Sequence, residues 1–424
     1  MPHRRHSAFA RVTALAELRP VHEAFRWLHL NDQYLLRLQA DLVTIPAPPF
    51  GEAARTLWAA DHFQRIGLAS VTTDAIGNVC GTLHGSRPLD DGGPVILISA
   101  HLDTVFPIET PLNPVLTHDR LDCPGACDNA AGVIGMIALA CALRHAGVQL
   151  PATLIFVANV GEEGEGDLRG IRSLYANAPF ASRVAAHIVL DGAGDETVVS
   201  QALGSKRFQV TLTGPGGHSF TDAGTPNPIA ALATALAVLD QFPLPDDPRT
   251  TRNIGTISGG TSVNSIPEAA TAAIDFRSTD VRELVRLEVA LHRAVEDAVH
   301  AANARASHFG NPDKGKLTSR IQVIGNRPAA ELPAHSTMLE TLRAVDRHLG
   351  LRTDLRLGST DANIPLSLGI QAASFGAGGD GGGAHTQAEW YSAVNRELGL
   401  RRILLLTLAM AESAAGSMPL DPDR

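Results

Sequence analysis

The chain has 424 residues, 44% of them hydrophobic, and a formal net charge of −9. This length exceeds that of one typical domain, so we expect two domains with substantial apolar cores. The acidic charge balance argues against a nucleic-acid partner, because phosphate binding requires a basic surface, and no apolar run is long enough to cross a membrane.

The first residues and the cysteines bear on the cellular compartment. The start, MPHRRHSAFARVTALAEL, is basic but lacks the apolar stretch and cleavage site of a secretory signal. We therefore expect a frayed terminal extension there, in preference to a transit peptide. The chain has only four cysteines, which are too few for a disulfide scaffold at this length. The prediction is a cytoplasmic protein.

Helix and strand signals alternate in the sequence, which predicts an α/β architecture with a mostly parallel sheet. Three apolar runs are typical of strands buried on both faces: PVILISA at 94–100, TLIFVANV at 153–160 and AHIVL at 186–190. Between the first two, residues 129–146 carry apolar side chains at helical spacing, and Gly147 follows where a helix C-cap belongs. Strand, helix and strand in this order form the unit from which parallel sheets are built.

The middle of the chain predicts a smaller α+β unit. Its elements in chain order are a strand at 209–213, a helix from 228 to 239, strands near 253–258 and 270–277, a long helix from 281 and a strand at 318–324. The order β-α-β-β-α-β matches a ferredoxin-like fold. The α/β pattern then returns, with a capping box at Thr337-Met-Leu-Glu340 before a helix. We predict a catalytic domain in two parts, 1–204 and 326–424, with 205–325 inserted.

Five short motifs place an acid or a histidine at predicted strand ends, where open α/β sheets bind ligands. They are His101 in HLD, Asp128 in CDNAAG, Glu163 in GEEG, Asp191 after AHIVL and His385 in GGGAHT. Each motif alone has a simpler explanation. Asp128 could merely cap the next helix, and the two glutamates of GEEG could be solvated loop acids, although adjacent carboxylates resist joint ionisation without a cation.

The set as a whole predicts a metal site. Two histidines and three carboxylates form a nitrogen and oxygen donor set that suits zinc, a borderline metal, and differs from a soft thiolate site. A single catalytic zinc normally has three protein ligands, so five ligands with one shared carboxylate predict two ions bridged by a water or hydroxide. Asp103 could fix the tautomer of His101, and Glu162 could act as base for the water. We expect Cys123 and Cys127 to be structural, because a lone C-x₃-C pair is a poor zinc signal.

The motifs and their order resemble the co-catalytic zinc peptidases related to aminoacylase, carboxypeptidase G, succinyl-diaminopimelate desuccinylase and peptidase T. The resemblance runs from about Asp41 to the C-terminus. It is carried by the segments SAHLDTVFP, CDNAAGV, NVGEEGEGDLRG, LDGAG, GPGGHS, GGTSVNSIP, DFRS, STDANIPLSLGI and GGGAHTQAEW. The resemblance implies that Asp128 bridges two zinc ions, that His101 and Asp191 complete one site, and that Glu163 and His385 complete the other.

The resemblance also implies that Glu162 is the general base and later the proton donor, and that Asp103 orients His101. The inserted unit would be a lid and dimerisation domain. Its His218 would polarise the scissile carbonyl, often from the partner subunit, and Asn264 and Arg277 would hold the substrate. On the residues alone, His218 is better explained as a turn histidine and Arg277 as half of a surface ion pair.

The predicted function is hydrolysis of a peptide or amide bond in a dipeptide, tripeptide or N-acyl amino acid by a homodimeric di-zinc enzyme, in which cobalt or manganese could substitute. A deacylase of N-acyl amino acids remains an alternative to a peptidase. A single-domain zinc aminopeptidase is disfavoured by the long insertion between Asp191 and His385. A non-catalytic binding protein on the same fold is disfavoured because Glu162 and every ligand position are present.

Overall fold

The computed structural model describes residues 7–87, 92–309 and 315–416, and its contacts divide the chain into two compact units. The larger unit comprises Met1–Ala202 and Glu331–Arg424, and the inserted unit comprises Leu203–Ala330. The predicted insertion, 205–325, falls within the second unit. Among the described residues, no helix is both long enough and apolar enough to span a membrane.

The first part of the larger unit opens with four helices, and strands and helices follow. Its helices are α1 (Ala8–Ala16), α2 (Arg19–Leu30), α3 (Asp32–Val43), α4 (Ala53–Ile66), α5 (Ala130–Ala146) and α6 (Arg169–Asn177). Its strands are β1 (Ala69–Thr73), β2 (Val79–Leu83), β3 (Val95–His101), β4 (Val115–Leu116), β5 (Arg120–Asp122), β6 (Thr153–Asn159), β7 (Val184–Leu190) and β8 (Thr197–Ala202).

The inserted unit and the returning chain complete the element list. The inserted unit contains β9 (Gly204–Thr213), β10 (Gly217–His218), α7 (Pro228–Asp240), β11 (Thr250–Gly259), β12 (Ser265–Ile266), β13 (Ala269–Ser278), α8 (Val281–Phe309) and β14 (Thr318–Arg327). After β15 (Ala330–Glu331) follow α9 (Thr337–Leu349), β16 (Asp354–Gly358), α10 (Asn363–Ser367), β17 (Gln371–Phe375), β18 (Asp380–Gly382), β19 (Trp390–Ser392) and α11 (Arg396–Ala415).

The main sheet of the larger unit has the strand order β1-β2-β6-β3-β7-β17-β8-β15, with β16 paired to β8. Its central strands β6, β3, β7 and β17 are mutually parallel, which confirms the predicted mostly parallel sheet. Every residue of β3 and β6 is buried, because helices cover both faces. On one face Val95 and Leu97 pack with Ile171 and Leu174 of α6. Parallel pairing brings the carboxyl ends of these strands to one edge of the sheet.

The N-terminal segment is helical, so the predicted frayed extension is wrong from Ser7 onward. The Ser7 hydroxyl caps α1 by accepting a hydrogen bond from the Ala10 N–H at 3.2 Å. Both α1 and α2 bury an apolar stripe at i, i+3 and i+4 spacing, including Val12, Leu15 and Leu28. Burial of these stripes explains why the helices form despite the basic start. Residues 1–6 lie outside the described residues.

The inserted unit is a four-stranded antiparallel sheet with two helices on one face. The strand order β11-β13-β9-β14 is that of a ferredoxin-like fold, as predicted. Alternate residues of β9 and β13 pack against α7 and α8 in one apolar core that includes Phe208, Phe276, Leu232 and Leu287. The opposite face of the sheet therefore presents polar side chains.

One predicted helix start is corrected by a single residue. Helix α9 is capped by Ser336, whose hydroxyl accepts a hydrogen bond from the Leu339 N–H at 3.3 Å. Thr337, which the capping-box pattern placed at the cap, is the first helical residue. Both residues carry a hydroxyl, so the sequence pattern could not distinguish the two alignments.

Candidate active site

The five predicted ligand positions of the larger unit lie at one edge of its main sheet. His101 ends β3, the Glu162-Glu163 pair follows β6, and Asp191 directly follows β7. Asp128 precedes α5, and His385 follows β18. Parallel pairing of β3, β6 and β7 accounts for the first three, because their carboxyl ends emerge side by side.

Asp128 lies between the two histidines and turns one carboxylate oxygen toward each. Its Oδ1 is 3.2 Å from Nε2 of His101, and its Oδ2 is 3.0 Å from Nε2 of His385. The same nitrogen of His101 is 3.7 Å from Oδ1 of Asp191. The same nitrogen of His385 is 3.1 Å from Oε1 of Glu163. The cluster therefore has two halves that share Asp128.

The residues fit a cation site. Ligand atoms of His101, Asp128 and Glu163 all lie within 4.8 Å of one another. Among the described residues, the buried Oδ1 of Asp128 has no hydrogen-bond partner of normal geometry, although His101 is close. An unsatisfied buried carboxylate oxygen is costly, and a cation would compensate it. Imidazole and carboxylate donors together suit zinc and related divalent ions.

The two histidines differ in exposure and in support. His101 is 1% exposed, whereas the side chain of His385 is 55% exposed. Nδ1 of His101 is 3.0 Å from the backbone carbonyl of Asp103. Because a carbonyl only accepts hydrogen bonds, the proton of the neutral ring lies on Nδ1, and Nε2 turns its lone pair toward Asp128. His385 has a backbone φ of 65°, in the left-handed region that non-glycine residues seldom occupy. Such conformations persist where the surrounding structure holds them, often at functional sites.

Asp103 lies beside His101, but its backbone carbonyl is closer to the imidazole than its carboxylate is. Its carboxylate Oδ1 is 3.7 Å from Nδ1 of His101, so the closer acceptor is its backbone carbonyl. The carboxylate instead accepts hydrogen bonds from the backbone N–H groups of Glu162, at 3.0 Å, and Glu163, at 2.8 Å. Asp103 therefore supports His101 with its main chain and the GEEG loop with its side chain.

Asn129, the residue after Asp128, ties two strand-end segments together. Its side chain accepts hydrogen bonds from the N–H groups of Gly132, at 3.0 Å, and Gly192, at 3.1 Å, and donates one to the carbonyl of Leu190 at 2.9 Å. Asn129 is thus the cap of α5, while the carboxylate of Asp128 faces the histidines. A Cβ at position 132 would lie 2.5 Å from the Leu190 carbonyl, so glycine is required there.

The charges of the cluster are strongly coupled. Burial, and then the charge of Asp128, raises the pKa of Glu163 to about 7. The hydrogen bond with Asp128 raises the pKa of His385 to about 9, against the effect of burial. Burial opposes ionisation of Asp128, but the neighbouring His101 and His385 outweigh it and lower its pKa. A cation bound among these side chains would compete with their protons, because metal ligands must be deprotonated.

Two buried acids near the cluster were not singled out from the sequence. Glu389 accepts hydrogen bonds from the N–H groups of Gly125, Cys127 and Asp128. Asp361 is fully buried and accepts a hydrogen bond at 2.7 Å from Asn159, the register partner of His101; burial raises its pKa to about 7. Both lie in segments that carry the family resemblance, but only their burial distinguishes them from surface acids.

The cysteines near Asp128 have the properties of structural residues. Cys123 and Cys127 are both buried. Burial raises the pKa of the Cys127 thiol to about 12, so the thiolate that a metal requires is disfavoured. Among the described residues, neither cysteine belongs to the group whose ligand atoms come together.

The candidate residues of the inserted unit lie at two ends of its sheet. His218 and Asn264 are exposed at the small two-stranded sheet formed by β10 and β12 (the β10–β12 ribbon), where the Ser219 N–H donates to the Asn264 carbonyl at 3.0 Å. Arg277 pairs in register with Ser205, at the opposite end of β9. Because β9 has ten residues, it spans about 33 Å, and one inserted unit does not bring His218 and Arg277 together.

The immediate contacts of these residues match the simpler explanations. Nε of Arg277 donates to Oδ2 of Asp275 at 2.7 Å, in a half-exposed ion pair. Nδ1 of His218 accepts a hydrogen bond from the Phe220 N–H at 3.2 Å, as in a turn histidine. The same bond places the ring proton of neutral His218 on Nε2, which leaves a hydrogen-bond donor facing outward.

Comparisons with known proteins agree with this geometry. The sequence profile of peptidase family M20/M25/M40 matches residues 97–409. An Aspergillus clavatus protein named probable carboxypeptidase is 29% identical over 298 residues, which cover 64% of this chain and 63% of that protein, less than two thirds of its length.

Two solved structures share the fold. Aminopeptidase PepT from Bacillus cereus superposes with a TM-score of 0.70 at 20% identity, over 90% of this chain and 99% of that one. The Bacillus subtilis YXEP protein, described as a dinuclear metal-binding peptidase of family M20, gives a TM-score of 0.61 at 17% identity, over 91% and 99% of the two chains.

Proposed function

The chain belongs to peptidase family M20/M25/M40, and on that premise we propose that it hydrolyses a peptide or amide bond in a small substrate with the help of two zinc ions. The observation that carries the proposal is the position of Asp128, with one carboxylate oxygen toward His101 and the other toward His385. A carboxylate in that position can serve two ions at once. A single-ion site would not need a second histidine on its far side.

The proposed ligand sets follow the two halves of the cluster. His101 and Asp191 would hold one ion, Glu163 and His385 the other, and Asp128 would bridge them. When bound, such a pair of ions would lower the pKa of a water molecule and polarise the scissile carbonyl. Zinc is the proposed metal, and cobalt or manganese could occupy the same donors.

The proton-transfer role is assigned to Glu162. This side chain is 5% exposed, and its backbone is fixed by the carboxylate of Asp103. We propose that Glu162 accepts a proton from the attacking water and then delivers it to the leaving amine, so that one carboxylate serves both halves of the reaction. The Nε2–H of His218 would donate a hydrogen bond to the developing oxyanion.

We propose that the active form is a homodimer through the inserted unit. A small substrate cannot contact both His218 and Arg277 of one inserted unit, because Arg277 pairs with Ser205 and about 26 Å of β9 separates Ser205 from Thr213, so the two would come from different chains. The strand β11 is an exposed edge of its sheet, and Ile229 and Val238 expose apolar side chains on α7. Exposed edges and apolar faces of this kind favour association between chains.

The proposed substrate carries a free carboxylate. Arg277 could bind such a group, with Asn264 contacting the peptide, and the carboxypeptidase name of the A. clavatus relative is consistent with that chemistry. Dipeptides, tripeptides and N-acyl amino acids all meet this requirement, so a deacylase is the second candidate. The four cysteines are free thiols, which supports the proposed cytoplasmic location.

The test combines metal analysis with a substrate panel. Purified protein would be assayed for metal content and for hydrolysis of dipeptides, tripeptides and N-acyl amino acids, each with added zinc, cobalt or manganese. Two ions per chain and turnover of a carboxylate-bearing substrate are expected. Preferential turnover of N-acyl amino acids would identify a deacylase, whereas a protein with neither metal nor turnover would contradict the proposal and favour a binding protein.

A further inference from the structure

Glu389 is a buried acid that the proposed hydrolysis does not use. It lies four residues after His385 and is 1% exposed. Its Oε2 accepts the N–H of Gly125 at 2.8 Å, and its Oε1 accepts the N–H groups of Cys127 at 2.8 Å and Asp128 at 2.7 Å. One carboxylate is therefore enclosed by three backbone donors of one loop.

That loop contains no strand or helix, so hydrogen bonds define its shape. Residues 123–129 form turns without a regular element, and they carry Asp128 into the cluster. The main chain of Glu389 adds a fourth contact, because its carbonyl accepts the Cys123 N–H at 3.0 Å. Hydrogen bonds to an ionised acceptor are stronger than neutral ones, so an ionised Glu389 would give the loop strong support at four points.

The other side of the loop is held by a second buried chain of contacts. Nε2 of Gln39 donates to the carbonyl of Ala126 at 2.6 Å, and its Oε1 accepts from Arg396 at 3.2 Å. Arg396 also donates to the Tyr391 hydroxyl at 2.9 Å, which in turn donates to the carbonyl of Gly378 at 3.1 Å. The loop that carries Asp128 is thus joined to the glycine-rich segment that precedes His385.

From these contacts we infer that Glu389 is a positioning residue for the metal centre: it fixes the Asp128 loop relative to His385, so that the shared carboxylate reaches both halves of the cluster. The inference rests on the proposed function, because it assigns Glu389 to the same site. It makes Glu389 responsible for the position of the Asp128 carboxylate relative to the two histidines, through contacts with the loop backbone.

The substitution Glu389→Gln separates this role from simple packing. Glutamine has the same shape, but its amide nitrogen cannot accept a hydrogen bond. Both carboxylate oxygens of Glu389 face backbone N–H donors, so either orientation of the glutamine amide loses at least one hydrogen bond. In either orientation the NH₂ group of the amide would also face a backbone N–H. The variant Glu389→Asp retains the charge and both oxygens but is shorter by one methylene.

The first measurement is amide hydrogen exchange of the full chain after metal removal. Peptides that cover residues 123–128 should exchange faster in Glu389→Gln than in wild type, with other regions unchanged. The matched control is Glu288→Gln, which removes a carboxylate that pairs with Lys206 in the inserted unit. That control should leave exchange in residues 123–128 unchanged. Unchanged exchange in Glu389→Gln would overturn the inference.

The second measurement is titration of the metal-free chain with Zn²⁺ or Co²⁺. Loss of a group that supports metal ligands typically weakens metal binding about 10- to 100-fold, and we expect Glu389→Gln to weaken binding by that factor, with Glu389→Asp intermediate. Faster exchange with binding within about twofold of wild type, well below that range, would show that Glu389 is merely structural and would overturn the inference.

Failure of the proposed function and failure of the positioning role of Glu389 would give different results. A wild-type chain that binds no metal would reject the proposed function, and the exchange measurement would still decide whether Glu389 holds the loop. If Glu389→Gln fails to fold, Glu389→Asp undergoes both measurements under the same criteria. Weaker metal binding together with faster exchange confined to residues 123–128 supports the positioning role.

Discussion

The strand-end cluster of the larger unit and the β10–β12 ribbon of the inserted unit carry candidate residues in opposite environments. His101, Glu162 and Glu163 are buried, and backbone hydrogen bonds fix their loops. His218 and Asn264 are exposed, and their hydrogen bonds in the described part of the chain are to residues of the ribbon and its adjoining turns. The buried residues are thus held in place by the fold, whereas under the proposed function the exposed ones would act against a further surface.

The largest expected effect tests the prepared region. Glu162→Gln should reduce kcat about 10³-fold, because the amide cannot accept the proton of the attacking water, while two metal ions remain bound. Steady-state kinetics and metal analysis check both parts. The control is Glu165→Gln, an exposed acid of the same loop, which should retain activity. Near wild-type activity in Glu162→Gln would contradict the assignment of the base.

The β10–β12 ribbon should matter for the catalytic rate but not for metal binding. His218→Ala should lower kcat about 10²-fold through loss of an oxyanion donor. Metal content and melting temperature should not change, because the side chain is exposed. His292→Ala, an exposed histidine of α8, is the matched control. Loss of metal in His218→Ala would break the contrast between the two regions.

Arg277 offers a finer test within the inserted unit. Arg277→Ala should raise KM about tenfold for substrates with a free carboxylate, by removal of a charge-assisted hydrogen bond. Carboxamide analogues of the same substrates should respond little. The exposed, ion-paired Arg282 of the same unit provides the control Arg282→Ala. Equal losses on the acid and the amide would assign Arg277 to a structural ion pair with Asp275.

The last prediction concerns folding stability and the polar core of the larger unit, away from the reaction itself. His187 bonds Tyr175 and Ser99 at 3.0 and 2.8 Å, and burial lowers its pKa to about 3. In the unfolded chain a histidine has a pKa of about 6.5, so it takes up a proton below that pH. In the folded protein His187 takes up this proton only near pH 3. Stability from this group is therefore full above about pH 6.5 and is lost as pH falls.

The expected slope from His187 is about 1.4 kcal/mol per pH unit between about pH 6 and 4, in the free energy of unfolding. Urea titrations of metal-free wild type and His187→Gln over this range provide the measurement. The variant should start less stable but lose less stability on acidification. Parallel pH profiles would show that His187 titrates in the folded protein as it does in the unfolded chain.

Much of this organisation could be predicted from patterns that depend only on local chemistry. Buried strands reveal themselves as short apolar runs, so β3, β6 and β7 were predicted within a residue or two at their carboxyl ends. The start of α5 was visible because asparagine and glycine flank its apolar residues. The helical N-terminus is harder to predict, because basic residues interrupt its apolar stripe of helical period, and burial of that stripe is evident only in the fold.

The parallel sheet, the inserted α+β unit and the list of candidate ligands can be predicted without a structure, because periodicity and residue type are properties of short segments. The orientation of Asp128, with one oxygen toward each histidine, and the support of His101 by the carbonyl of Asp103 depend on the tertiary structure. So does the enclosure of Glu389 by the loop of Asp128. Such contacts join residues up to 264 positions apart, and burial, which distinguishes them from surface acids, is set by the whole fold.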